Sequence, residues 1–319
     1  MNVTIKLFRE YLTQSISRNY LSQINKTSRT TLWRKFDPLL EVRLLPLSNL
    51  TKVRVIAVDG FYLSYPSLKR NRHKDGFKKD KCILLWALDC ENHKPIYWQF
   101  YDEIENMRIW KSFIYEMKVR NFNPEYLVSD GHLGITSACS DYWPAAKQQR
   151  CIAHFMSNMN KDLSISPKTN IAKDLKLIVA LLFKIKTIKE RVVWEEDWLN
   201  YLEKYKDTIL LLKCKKDVYE GTQRIPSGYL SALSVVSCAY KKDEIFTYLK
   251  DSKVPNTSNS IESINGVLRE LTRRHRGMSL ERRKNLITWV LACRQGQTDV
   301  QLKQQISINR SKKSTLFET

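Results

Sequence analysis

The stretch Val53-Arg54-Val55-Ile56-Ala57-Val58-Asp59-Gly60 constrains the fold more than any other part of the chain. It is an almost uninterrupted run of apolar, mostly β-branched residues that ends in a carboxylate and a glycine. Such a run predicts a strand buried on both faces, in the middle of a mixed or parallel sheet. Asp59 falls where that strand leaves the core, and Gly60 permits a tight backbone path beside it. The pattern returns at Glu125-Tyr126-Leu127-Val128-Ser129-Asp130-Gly131. Two strands that deliver carboxylates to one sheet edge build a site for a hard cation.

A chain of 319 residues can bury a substantial core, as one large domain or two to three smaller ones. A hydrophobic content of 43% excludes a disordered polyelectrolyte. Lys and Arg number 54 against 33 for Asp and Glu, a formal charge of +21. That excess calls for a polyanionic partner, of which nucleic acid is the commonest. An anionic membrane is the competing partner, but no apolar run approaches the roughly 20 residues that span a bilayer. No signal-peptide pattern opens the chain. The expectation is a cytoplasmic, nucleoid-associated protein with no membrane partner. Seven cysteines, at 82, 90, 139, 151, 214, 238 and 293, are scattered with no Cys-x-x-Cys pair. That spacing argues against a disulfide framework or zinc ribbon and fits a reducing cytosol.

Residues 1–48 read as a helical segment. Leu7, Tyr11 and Leu12, then Ile16, Tyr20, Leu21 and Ile24, recur at helical spacing. Asn25-Lys26-Thr27-Ser28 is a polar break rich in N-cap residues, and a short basic helix follows over residues 29–36. This order suits a helix-turn-helix DNA reader, with Arg29 and Arg34 as DNA-contacting candidates; any three-helix bundle with a basic surface gives the same pattern. Pro38 and Leu45-Pro46-Leu47 predict a linker.

From 50 to 163 the pattern is α/β. Candidate strands at Cys82 to Leu88 and Pro95 to Phe100 flank a turn, and Met107, Trp110, Phe113, Ile114 and Met117 mark an amphipathic helix. The Asp130 strand follows, then a helix around 133–142, a short strand near Gln148 to Ile152 and a helix carrying His154, Asn158 and Leu163. Three strands, helix, strand, helix, strand is the order of a ribonuclease H-like core. Over 164–250, Leu175, Ile178, Leu181 and Leu182, then Trp194, Trp198, Tyr201 and Leu202, recur at helical spacing and predict an all-helical insertion. The core resumes over 251–276, where Ile261, Ile264, Leu268 and Leu271 form an apolar stripe with Glu262 off it. Residues 277–319 supply a C-terminal helix and a basic tail. The expected fold class is therefore α/β: a ribonuclease H-like core with an all-helical insertion, plus the N-terminal helical segment.

Asp59, Asp130 and Glu262 each stand beside apolar core sequence. Singly, the two Asp-Gly pairs are readable as ordinary strand-ending turns, and Glu262 as one solvated carboxylate among many. As a set, three convergent carboxylates would repel one another without a cation, and Mg²⁺ (or Mn²⁺) takes oxygen ligands of this kind. Two such ions roughly 3.5–4 Å apart would activate a water or 3′-hydroxyl and stabilise the leaving oxygen of an in-line phosphoryl transfer. On this reading Asp59 bridges both metals, and Asp130 and Glu262 each hold one. Cys151 and His154 lack a second Cys/His pair nearby. They read either as neighbours of the active site that orient DNA, or as a buried thiol and a core histidine. His132 is a phosphate contact or a surface histidine. Arg269, Arg273 and Arg274, with Arg276, Arg282, Arg283 and Lys284 beyond, offer phosphate contacts or a solvated face. Lys69 to Lys74 and Lys78-Lys79 form a second basic stretch.

Four blocks carry a resemblance. They are Val58-Asp59-Gly60-x-Tyr62-Leu63, Ser129-Asp130-Gly131-x-x-Gly134-Ile135, Gln149-Arg150-Cys151-x-x-His154-x-x-x-Asn158 and Asn259-x-Ile261-Glu262-Ser263-x-Asn265-x-x-Leu268-Arg269. In this order, over about 50–275, the chain resembles the DDE transposases of the Mutator-like superfamily, which include many bacterial and archaeal insertion-sequence transposases. The resemblance implies a ribonuclease H-like catalytic domain interrupted by a helical insertion before the final Glu. It places Asp59, Asp130 and Glu262 on the acidic triad, and Cys151 and His154 on a Cys-x-x-His motif. It also implies an insertion tryptophan that stacks on DNA bases. Trp194 and Trp198 are candidates, although i, i+4 aromatics are more often helix core. The implied activity is metal-dependent cleavage at element ends and strand transfer into target DNA. Its partners are double-stranded DNA with terminal inverted repeats, target DNA, and a second copy in a homodimer or higher assembly. A DNA-binding regulator of the same fold, or a nuclease without strand transfer, is the alternative. Superfamily members often carry a longer N-terminal DNA-binding region. With the first aspartate already at 59, end recognition is expected to be reduced, done by the short helical segment, or lost.

Overall fold

The computed structural model of the chain describes residues 2–13, 17–47, 52–64, 81–214 and 217–315. The elements run α1 (Asn2–Thr13), α2 (Arg18–Ile24), α3 (Arg29–Phe36), β1 (Val55–Ser64), β2 (Lys81–Asp89), β3 (Lys94–Tyr101), α4 (Met107–Val119), β4 (Tyr126–Ser129), α5 (Leu133–Tyr142) and β5 (Lys147–Arg150). They continue as α6 (Ile152–Leu163), α7 (Asn170–Leu181), α8 (Ile188–Lys204), α9 (Lys206–Cys214), β6 (Tyr219–Glu220), β7 (Gln223–Arg224), α10 (Tyr229–Lys241), α11 (Asn259–Arg274), α12 (Leu280–Gln295) and α13 (Asp299–Thr315). The basic stretch at Lys69 to Lys74 and Lys78-Lys79 lies outside the described residues. No described helix is long and apolar enough to cross a membrane.

Five strands form a mixed sheet in the order β3-β2-β1-β4-β5. β1 pairs parallel with β4 and β4 with β5, while β2 and β3 are antiparallel. β1 is buried from Val55 to Val58, as its apolar run predicts. The chain divides into two compact units: Met1–Val53, Val58–Phe122 and Ser260–Thr319 in the first, and Arg54–Ala57 and Asn123–Asn259 in the second. These units do not coincide with the boundaries expected from the sequence. The N-terminal helices belong with the first unit, where Phe8 meets Phe36 at 4.9 Å and Trp289 edge-on at 5.2 Å between ring centroids.

In the first unit, α12 is buried at every position from Arg283 to Ala292. Its polar side chains have a structural task. The segment over 39–47 enters no sheet, so its backbone groups need other partners. Thr288 Oγ1 accepts from Leu44 N–H at 3.0 Å, Asn285 Nδ2 donates to Leu40 O at 2.8 Å, and Trp289 Nε1 donates to Leu39 O at 2.8 Å. Past the C-terminal helix, residues Asp299–Thr315 of the expected basic tail form a further helix, α13.

The second unit packs α6 to α10 around one apolar cluster that includes Phe155, Met159, Leu175, Trp194, Trp198, Tyr229 and Phe246. The stretch expected to be all helical also contains the short hairpin of β6 and β7.

Candidate active site

In the first unit, Asp59 is half-buried on β1 and held from two sides. Its Oδ1 accepts from Gly60 N–H at 2.8 Å, and its Oδ2 accepts from Asn265 Nδ2 at 2.7 Å. Asn265 is 4% exposed, and its Oδ1 accepts from the buried Trp86 Nε1 at 3.1 Å. A chain of three side chains from β2 through α11 thus fixes the Asp59 carboxylate. Glu262, half-buried in the first turn of α11, lies three residues before Asn265 and so shares its side of the helix. A carboxylate there is also favoured by the positive end of the helix dipole. The role of Asn265 was missed by sequence reasoning; its position one turn past Glu262, inside the apolar stripe, was the available signal.

In the second unit, Asp130 follows β4. The parallel register Val55↔Tyr126, Ile56↔Leu127, Ala57↔Val128 leaves Asp59 and Asp130 each two residues beyond the last pair. Asp130 Oδ1 accepts from His132 N–H at 2.8 Å. His132 itself caps α5, its Nδ1 accepting from Gly134 N–H at 3.1 Å. Gly131 has a φ of +78°, and a Cβ there would come within 2.1 Å of Arg150 Nε. Arg150 is paired at 3.1 Å with Glu244, the two side chains 12% and 6% exposed. The Asp-Gly order is therefore required twice over, by backbone hand and by the ion pair against it.

Cys151 and His154 come together at the start of α6. Cys151 is buried, and its Sγ accepts from Ser258 Oγ at 3.1 Å and from Ser258 N–H at 3.2 Å. Burial acts to raise the thiol pKa, but the hydrogen bonds from His154 and Ser258 outweigh it and bring the pKa below the ordinary thiol value.

The arginines of α11 and its continuation divide between two clefts in the first unit. Arg269 and Arg273 line one of about 360 Å³ with Thr272, Arg276 and Arg283, against Phe61 to Leu63 of β1. Arg274 lines another of about 860 Å³ with Arg29 and Arg34. Glu270 pairs with Arg273 at 2.8 Å and Arg274 at 2.9 Å, and their hydrogen bonds draw its pKa down to about 2. The tryptophan candidates fall elsewhere. Trp194 and Trp198 are 2% and 1% exposed and stack on each other at 5.9 Å, and Trp194 Nε1 donates to Ile178 O at 2.8 Å. Their i, i+4 spacing places both in the core of the second unit, where neither offers a face to an unstacked base.

The sequence profile described as "Transposase, Mutator family" matches residues 54–218. That is more than half of the chain, and the chain belongs to this family. It is similar to the transposase for insertion sequence element IS1201 of Lactobacillus helveticus, 24% identical over 106 residues. That match covers 33% of this chain, and the chain spans only 29% of the length of that curated relative. Among solved structures it is similar to the Drosophila P element transposase strand transfer complex, at 12% identity and a TM-score of 0.31, over 91% of this chain and 78% of that one.

Proposed function

We propose that the chain is a DNA transposase in which Asp59, Asp130 and Glu262 together hold two Mg²⁺ (or Mn²⁺) ions on a ribonuclease H-like core. Family membership supports the class of activity. The observation that carries the site is the bond from Asn265 to Asp59, which ties the helix bearing Glu262 to the strand bearing Asp59. The equal offset of Asp59 and Asp130 from the last β1–β4 register pair supports including Asp130. The mixed sheet, with β1, β4 and β5 parallel and β2, β3 antiparallel, supports the core assignment. All three donors are carboxylate oxygens, the donor class that Mg²⁺ takes.

When bound, the two ions supply activation of a water or 3′-hydroxyl and stabilisation of the leaving oxygen. The residues of the chain do the positioning. Asn265 and Gly60 N–H fix the rotamer of Asp59, His132 N–H holds Asp130, and Arg269 and Arg273 contact DNA phosphates beside β1. Cys151 and His154 support the start of α6. The substrates are double-stranded DNA with terminal inverted repeats and a target duplex. Joining two ends calls for at least a dimer, acting in the cytoplasm on nucleoid DNA.

The test incubates pure protein with terminal-repeat DNA, a plasmid and Mg²⁺. Joined products are expected, and Asp59→Asn should reduce joining by on the order of 10²–10³-fold, the scale for losing one electrostatic stabiliser, while DNA binding persists. Cleavage with no joined product would favour a nuclease. Binding with neither would favour a regulator, and retained joining in Asp59→Asn would refute the role of that residue.

A further inference from the structure

In the second unit, the solvent side of α8 is more apolar than an exposed helix face needs to be. Its core side carries Trp194, Trp198 and Tyr201. On the other side Ile188, Val192 and Leu199, at i, i+4 and i+11, form a second apolar stripe with Val193 beside it. These four are exposed, from 47% at Val192 to 58% at Val193. α7 runs antiparallel to α8, tied by Trp194 Nε1 to Ile178 O at 2.8 Å and by Lys204 to Asp174 at 2.9 Å. Leu177 and Leu181, three and seven residues after Asp174, share its side of α7 and are exposed as well. A clustered apolar surface of this kind marks an interaction site.

Charge is graded along the same helix. Lys184 and Lys186 precede it and Lys189 lies in its first turn, whereas Glu196 and Glu203 occupy later turns. Glu190 and Arg191 are already engaged, the first in the capping box with Thr187 and the second with Glu195 at 2.9 Å. Lys184, Lys186, Lys189 and Glu196 are exposed and have no ion-pair partner among the described residues, and Glu203 meets Lys206 at 3.6 Å.

Duplex DNA suits this face poorly, because its phosphates would meet Glu196 and Glu203 and gain nothing from the apolar stripe. A second copy of the chain suits it well. We propose that α8 is a homodimer interface, two α8 helices packing antiparallel about a two-fold axis at Val192 and Val193. In that register Ile188 of one copy meets Leu199 of the other, and Lys189 meets Glu196. The Lys184 and Lys186 end faces Glu203. Apolar side chains meet apolar ones and cations meet carboxylates, each contact made twice by symmetry. A parallel pairing would set lysines against lysines and glutamates against glutamates, so the charge gradient selects the antiparallel register. This assignment rests on the reading of the chain as a transposase that joins two ends, and it names the surface that brings the copies together.

Sedimentation equilibrium of the full-length protein without DNA is expected to give a dimer in reversible exchange with monomer. Lys189→Glu and Glu196→Lys should each weaken it roughly tenfold, since two symmetry-related charge pairs are reversed at once. The double variant should return to within about twofold of the unaltered protein, as a directly coupled pair requires. An equimolar mixture of the two single variants should form the heterodimer. Val192→Glu places two carboxylates at the axis and should leave monomer with an unchanged circular dichroism spectrum. An unaltered protein that is monomeric at roughly 100 µM, or a dimer indifferent to all three substitutions, would overturn the proposal. Lost binding to a short duplex with the dimer intact would assign the face to DNA and overturn it as well. Should Val192→Glu fail to fold, the charge exchange decides, because both of its sites are exposed. A dimer that follows the exchange yet never joins DNA ends would refute the transposase reading and leave this one standing; joining by a protein whose assembly ignores the exchange would do the reverse.

Discussion

Asn265 supports the candidate site without carrying a charge. It has no titratable group, yet it donates to Asp59 and accepts from Trp86, so it transmits the rigidity of β2 to the carboxylate. Asn265→Leu keeps the branched shape and removes both bonds. Joining activity should fall roughly 10–100-fold, as for partners that orient a metal ligand. The buried Trp86 N–H, left without its acceptor, should cost about 1–3 kcal/mol of stability. A joining assay and urea unfolding check the two expectations separately; unchanged joining would show that Asp59 needs no such support. Glu270 illustrates the opposite case, a half-buried residue whose role is electrostatic. Its pKa is drawn from 4.5 to about 2 by Arg273 and Arg274, so its stabilising contribution is fully present above about 4.5 and is lost as pH falls toward 2. Glu270→Gln should flatten that acid limb, which thermal midpoints across the same pH window would reveal.

At the scale of elements, α8 and α12 show that packing, not residue type alone, sets what a side chain does. The aromatic spacing on α8 suited either a base-stacking face or a core, and burial of Trp194 and Trp198 among α6, α7 and α10 selects the core. Trp198→Ala should therefore destabilise the protein by about 3–5 kcal/mol, as for a deleted core aromatic. Loss of DNA affinity at full native stability would contradict that role. On α12 the informative residues are polar. Asn285 and Thr288 are buried because they hydrogen-bond a segment that no strand accompanies. A helix that carries both apolar and polar side chains inward shows no clean amphipathic stripe, which is why its central position escapes a reading based on periodicity.

For the whole molecule, a charge of +21 sets the character of its binding. Affinity for duplex DNA should fall steeply with salt, the logarithmic slope changing by about 0.9 for each phosphate neutralised. Replacing both Arg269 and Arg273 with Ala should reduce that slope by about two, as read from titrations at several salt concentrations; an unchanged slope would place the DNA elsewhere. Much of the architecture was legible without coordinates. The buried β1 run, the Asp130-Gly131 strand end, the β2–β3 pair and the amphipathic α4 and α11 are all written in short-range patterns of polarity, because strand and helix periods are local properties of the chain; β1, by contrast, does not end at Asp59-Gly60 but runs on to Ser64. The grouping into units was not legible. Helices over residues 2–36 belong with those of residues 259–315 through contacts such as Phe8 with Trp289, and no local pattern encodes which distant apolar faces meet. Asp59, Asp130 and Glu262 were singled out from the sequence alone, whereas the bond from Asn265 to Asp59, and the stacking of His275 on Trp33, join residues far apart in the chain. Only tertiary packing decides such partnerships, since a buried hydrogen bond or ring stack exists once the backbone has brought both groups out of water together.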